Sequence, residues 1–217
     1  MKRDRRPYTY VLHATFLRGY RMTALRRLGL AAPLVAVTLS SCGINAVPTE
    51  EEKVNAAWGN LQADYQRRAD LIPNLVNTVK GYAQQEKTVL TEVTQARAGA
   101  NSVKLSGDDL SDPAKMKAFA DAQNRVTLSL QRLQEAYPDL KSNANFLALQ
   151  DQLEGTENRI NASRRDYNSA VQEYNTTIRT FPNAIGAKIF YGAKPKVPFE
   201  ASTSAQTAPT VNFGNNS

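Results

Sequence analysis

Apolar side chains recur by threes and fours through most of residues 50–181. In the run from Glu51 to Ala98 they fall at Val54, Trp58, Leu61, Tyr65, Ile72, Leu75, Val79, Tyr82, Val89 and Val93. Arg68 and Glu86 take seam slots that would otherwise be apolar. A 4-3 spacing returns the same helical face every two turns, and here it is held over about six repeats, which predicts helix. Leu71, Val76, Ala83 and Leu90 broaden the stripe, as expected of a bundle face rather than a two-stranded coiled coil. Thr49-x-x-Glu52 reads as a capping box, with Glu50, Glu51 and Glu52 near the positive helix end. Gly99 suits the residue just past the helix.

Pro73 interrupts this pattern. Inside a helix a proline removes one hydrogen bond and crowds the preceding turn, at a cost of about 3 kcal/mol. The apolar phase continues across it, so a kink is expected; the alternative is a tight turn that splits the run into two antiparallel helices. Beside it stands the charged stretch Arg67-Arg68-Ala69-Asp70. Arg68 lies on the seam itself, where a charge must be paired to be tolerated. An ion pair with Asp70 or with an acid of the last helix is expected, its stem packed along apolar surface. Recognition of a partner by Arg67, Arg68, Asp70 and Pro73 is the other reading.

Residues 99–112 form a polar loop, and Asp112-Pro113 starts the next helix as N-cap and first helical residue. That helix has its apolar set at Met116, Phe119, Val126, Leu130, Leu133 and Tyr137, with Gln123 in the remaining slot, and Pro138 ends it. Ser142 or Asn143 caps a last long helix whose seam reads Phe146, Leu149, Leu153, Ile160, Tyr167, Val171, Tyr174, Ile178 and Phe181, up to Pro182. No strand pattern emerges. The fold class is all-α, an antiparallel bundle of long helices, four of them if the first run breaks near Pro73. Between Ala184 and Glu200 the apolar and aromatic content exceeds that of a solvated linker. This stretch is expected to pack onto the bundle end, with a partner site as the alternative. Residues 201–217 lack the apolar content to fold and are expected to be a disordered tail.

Charge changes the picture at the N-terminus. The net charge of +7 suggests nucleic acid, but residues 1–41 carry eight basic side chains against the single acid Asp4. Nineteen basic and nineteen acidic residues remain in 42–217, so the body is neutral and no nucleic-acid partner is expected. Arg26-Arg27 precede an apolar stretch from Leu28 to Leu39, too short to span a bilayer, which takes roughly 20 residues. The stretch ends at Leu39-Ser40-Ser41-Cys42-Gly43, which resembles the bacterial lipobox. Residues 1–21 read as an upstream extension, 22–41 as a lipoprotein signal peptide with Met22 as start, 42–49 as a tether, and 50–200 as the bundle. Cys42 is the only cysteine; it is expected to carry the lipid and to hold the chain to a membrane.

The chemistry available to the body is narrow. The single histidine, His13, precedes Met22, so the body holds neither histidine nor free thiol, which removes Ser-His-Asp and Cys-His catalysis and the usual zinc sites. No phosphate-binding glycine motif occurs. No cofactor, metal or catalytic residue is expected. A carboxylate pair drawn from Asp70 and Glu86 is the remaining enzymatic reading, that of a cell-wall hydrolase; a self-associating structural coiled coil is another.

Trp58, the block Gln66-Arg67-Arg68-Ala69-Asp70-Leu71-Ile72-Pro73-Asn74-Leu75-Val76, then Val79 to Ala83, Glu86-Lys87 and Ala96 to Ala98, together resemble the LemA family. So do Ala170 to Asn175, Phe181-Pro182 and Lys194 to Glu200. The resemblance spans residues 50–200. It implies a bundle of four helices in a bacterial envelope protein without established enzymatic activity. Many relatives carry an N-terminal transmembrane helix, which the lipid on Cys42 would replace here. Gly43 is not the aspartate that retains enteric lipoproteins at the inner membrane, so a periplasm-facing, outer-membrane location is expected, with an unidentified envelope protein as partner.

Overall fold

The computed structural model describes residues 45–81 and 87–200. The leader, Cys42, Tyr82, Glu86 and the tail 201–217 lie outside the described residues. All but Asn45 and Ala46 of the described residues belong to one of the chain's two units, Val47–Ser217.

Four helices make the bundle: α1 Ala46–Lys80, α2 Thr88–Ser102, α3 Pro113–Ala136 and α4 Ala144–Thr177. Among the described residues there is no strand. Pairings across the helices give their directions. Gln62 reaches Leu105 and Arg97 reaches Ala69, so the chain following α1 runs back along it. Arg132 pairs with Glu92, and α2 packs on α3. Arg68 meets Gln123 and Glu157 while Arg164 meets Tyr65, so α3 runs with α1 and α4 against it. The topology is up-down-up-down.

The seam positions occupy the core: Val54, Trp58, Leu61, Tyr65, Ile72, Leu75 and Val79 of α1, Met116, Phe119, Val126, Leu130 and Leu133 of α3, and Phe146, Leu153, Ile160, Tyr167, Val171 and Tyr174 of α4 are all buried. They form two apolar clusters. One gathers Trp58, Tyr65, Phe119, Tyr167 and Phe199, with ring centroids 5.1–6.4 Å apart. The other gathers Ile72 to Val79, Leu90, Val93, Val126 to Leu133 and Phe146 to Leu153.

Four boundaries differ from the sequence expectation. α1 begins at Ala46, so Thr49 stands inside the helix and Glu50 to Glu52 fall in its second turn. Pro48 is tolerated there because the first-turn N–H groups have no intrahelical partner anyway. α2 runs through Gly99 to Ser102. α4 stops at Thr177, and Phe181 is 82 % exposed rather than buried. Most consequentially, the run from Glu51 to Ala98 is two helices, parted between Gly81 and Lys87 and not at Pro73, which lies within α1.

The connection after α2 is less polar inside than its composition suggests, since Leu105 and Leu110 are buried. Asp112 caps α3 by accepting from the Ala114 and Lys115 amides (2.9 and 3.3 Å), and Asn143 caps α4 by accepting from the Phe146 amide (3.0 Å). After α4 the chain forms a short helical turn, α5 Asn183–Gly186, continued by a wider π-type turn Ala187–Tyr191. Residues 193–200 then return as an extended strap along α4. Two α4 asparagines, seven residues apart, hold this strap as a neighbouring strand would. Asn168 accepts from the Phe199 amide (2.7 Å) and donates to its carbonyl (3.0 Å); Asn175 does the same for Lys196 (2.9 and 2.8 Å). The Tyr167 hydroxyl donates to the Val197 carbonyl (2.9 Å). Of residues 184–200, the strap lies against α4, while Ile185, Ile189, Phe190 and Tyr191 are exposed.

Candidate functional site at the polar layer

Between the two apolar clusters lies a layer of polar side chains, one from each of α1 and α4 and two from α3. Arg68 is 1 % exposed. One terminal nitrogen donates to Glu157 (2.8 Å to Oε1, 3.2 Å to Oε2) and to Thr127 Oγ1 (2.9 Å). The other donates to Gln123 Oε1 (2.8 Å) and to the Gln123 carbonyl (3.1 Å). Thr127 in turn donates to Glu157 Oε1 (3.1 Å). A guanidinium in an apolar interior is tolerable only when its charge is neutralised and its donors are used, and both conditions are met here.

Aromatic contacts extend the layer. The Arg68 guanidinium carbon lies 5.1 Å from the Tyr65 ring centroid, and that of Arg164 lies 5.7 Å from it; Arg164 Nε also donates to the Tyr65 hydroxyl (2.9 Å). Burial raises the Tyr65 pKa, with the two arginines acting against it. Arg164 stacks further on Phe199 of the strap, 4.7 Å from its centroid.

Pro73 joins the layer indirectly. It has no N–H for the Ala69 carbonyl four residues back, and that carbonyl instead accepts from Arg97 Nε of α2 at 2.7 Å. The partner that α1 lacks is thus supplied by α2, which stitches the two helices together at the residue next to Arg68.

Of the four residues the sequence singles out here, two belong to this centre. Arg67 and Asp70 are exposed, and Asp70 accepts from Gln66 Nε2 (2.7 Å) on the outer face of α1. The acid for Arg68 therefore comes from the last helix and not from Asp70. Glu157 and Thr127 were not anticipated by name. The available signal was the seven-residue step from Leu153 to Ile160, an empty slot in the α4 seam matching those held by Arg68 and Gln123. Glu86 and Cys42 lie outside the described residues.

A recess of about 290 Å³ opens beside the ion pair, lined by Gln131, Gln134, Gln150 and Glu154 besides Arg68, Thr127 and Glu157. It presents amides, carboxylates, the Thr127 hydroxyl and the Arg68 guanidinium. Among the described residues no group of three or more His, Cys, Asp or Glu could hold a metal ion, and no helix is long and apolar enough to cross a membrane.

Comparison with known proteins gives the chain a family. The model of the LemA family matches residues 57–213, which include every element of the layer. The chain belongs to the LemA family. Protein LemA of Metamycoplasma hominis is 27% identical over 146 residues, covering 67% of this chain and 64% of the relative. The magnetosome proteins MamQ 1 and MamQ 2 of Paramagnetospirillum magneticum are each 27% identical over 157 residues, 64% of this chain and 58% of theirs. This LemA-family chain thus spans under two thirds of the length of these curated relatives.

Proposed function

We propose that this chain is a LemA-type bacterial envelope protein, anchored by lipid on Cys42, whose bundle serves as a scaffold or protein-interaction module and not as an enzyme. The observation that carries the scaffold reading is the closure of the polar layer. Both terminal nitrogens of Arg68 and its carboxylate partner Glu157 are engaged within the bundle, which suits a side chain that holds three helices in register. Asp70, one member of the carboxylate pair a cell-wall hydrolase would use, is solvent-exposed and bonded to Gln66. The anchor rests on Leu39-Ser40-Ser41-Cys42 and on the neutral body beyond it. The placement proposed is periplasm-facing, at the outer membrane, with an envelope protein as partner.

Fractionation of cells expressing Cys42→Ser tests the anchor. The native chain is expected in the membrane fraction and the variant in the soluble one. A variant that stays membrane-bound and uncleaved at its original size would overturn lipidation. Loss of turnover of a cell-wall substrate on alanine substitution of Asp70 or Glu86, with the fold intact, would overturn the non-catalytic reading. Crosslinking in the living cell followed by purification from the envelope identifies the partner.

A further inference from the structure

The turn after α4 carries an apolar surface that the bundle does not use. Phe181, just before the helical turn, recurs at intervals of four with Ile185 in that turn and Ile189 in its π continuation, and Phe190 and Tyr191 stand beside them. Their exposures are 82, 53, 69, 66 and 43 %. Ala187, on the inner side of the same turn, is buried against the cluster that holds Val47 and Tyr174. The turn is therefore seated firmly, and its aromatic side faces outward.

Charge along this stretch of chain has one sign. From Tyr174 to Phe199 there is no acidic residue, while Arg179, Lys188 and Lys194 are exposed cations. Of the acids near this end, Glu51 pairs with Lys196 (3.0 Å), Glu50 and Glu173 with Lys53 (2.9 and 3.8 Å), and Asp109 with Lys115, while Glu52 is exposed. Position adds a third observation. The Lys196–Glu51 pair and the burial of Ala187 and Val47 in one apolar cluster put the turn at the bundle end where α1 begins. Cys42 precedes Asn45 by three residues, a reach of roughly 10 Å.

We infer that the 181–191 turn docks on an anionic lipid surface, with Phe181, Ile185, Ile189 and Phe190 entering the headgroup–acyl boundary and Arg179, Lys188 and Lys194 meeting lipid phosphates. Apolar and aromatic side chains ringed by cations are what an interfacial segment requires. A second copy of the chain fits less well. Five partly covered side chains offer a few hundred Å², whereas a standard protein interface buries about 800 Å² per partner; lipid closes around whatever is inserted and has no such minimum. The inference deepens the anchoring proposal and rests on it only for the nearness of the bilayer. A lipid at Cys42 would bring this end down to the membrane, and the turn would fix which way the bundle stands.

The test uses the full-length chain in vesicles of phosphatidylcholine with brominated acyl chains, with or without phosphatidylglycerol. Phe190→Trp adds a reporter on the patch, and Leu128→Trp adds one at an exposed site on α3; the native Trp58 is buried and gives the background. On the anionic vesicles Phe190→Trp emission is expected to shift to the blue and to be quenched severalfold more than Leu128→Trp emission. Adding Ile185→Ser and Ile189→Ser, both at exposed positions, is expected to abolish that quenching. Omitting phosphatidylglycerol is expected to weaken it. Quenching that survives Cys42→Ser supports the patch as an independent contact; quenching lost with Cys42→Ser supports a contact made only by an anchored chain. A chain that floats with the vesicles while Phe190→Trp stays unquenched overturns the inference and leaves the anchor standing. Equal quenching at both reporters overturns it as well. A blue shift without vesicles that grows with protein concentration also overturns it, in favour of a second copy as occupant. A native chain that does not float, with no quenching, overturns both proposals.

Discussion

The chemistry of Arg68 is set by what surrounds it. Removing Glu157 leaves a cation 1 % exposed with only neutral acceptors, and breaking a buried pair from one side costs about 3–5 kcal/mol. Glu157 is itself about a third exposed, so the lower end is expected. Glu157→Ala should therefore lose roughly 3 kcal/mol in denaturant unfolding, whereas replacing Arg68, Gln123 and Glu157 together by apolar residues should cost much less, since no orphaned charge remains. A single-variant loss under about 0.5 kcal/mol, the range of an ordinary surface change, would contradict this account of the layer. Pro73 poses a similar question one turn on. Arg97→Ala orphans the Ala69 carbonyl, for about 1–3 kcal/mol. In a Pro73→Ala background the restored N–H can bond that carbonyl, so the same change should cost less. A double-mutant cycle on Arg97 and Pro73 is expected to show a coupling of about 1 kcal/mol; additive effects would mean that the Arg97 bond does not stand in for the missing one.

At the scale of elements, α1, α3 and α4 were legible as amphipathic runs because their seams stay in phase over many turns. Even the exceptions Arg68 and Gln123 were visible as missing apolar slots. The break between Gly81 and Lys87 was not, since Val79, Tyr82, Val89 and Val93 keep the spacing of an unbroken helix, and periodicity alone does not reveal a reversal that preserves phase. Pro73 drew attention as the weak point, yet its lost hydrogen bond is made good by a residue from another helix, which no local rule reports. The strap was hidden for a related reason. Asn168 and Asn175 bind backbone atoms of Phe199 and Lys196, and such side-chain-to-backbone pairing leaves no apolar period. The buried tyrosines of these elements give a pH prediction. Burial raises the pKa values of Tyr65 and Tyr167, and burial together with Glu51 pushes Tyr174 up to about 12. A raised folded-state pKa means that the folded chain keeps its phenol proton while the unfolded chain ionises near pH 10. Resistance to denaturant should show no tyrosine contribution to its pH dependence below about pH 9 and should fall progressively from pH 10 to 12. Phenolate absorbance should show these tyrosines ionising late; full titration near pH 10 with the fold intact would contradict their burial.

The whole molecule combines a closed polar layer between two apolar clusters, a strap tied along α4, and an apolar turn at the end where α1 begins. Among the described residues no group of three or more His, Cys, Asp or Glu could hold a metal ion, and under the proposed reading these parts serve as surfaces for a membrane and a partner. Such a body needs a fixed place in the cell, which makes the anchor at Cys42 the central claim. Its most direct test is the intact mass of the native chain extracted from membranes. The account predicts a mature chain that begins at Cys42 and carries the added mass of a diacylglyceryl group on that residue. A membrane-extracted chain that begins elsewhere, or that retains an unmodified Cys42, would contradict it.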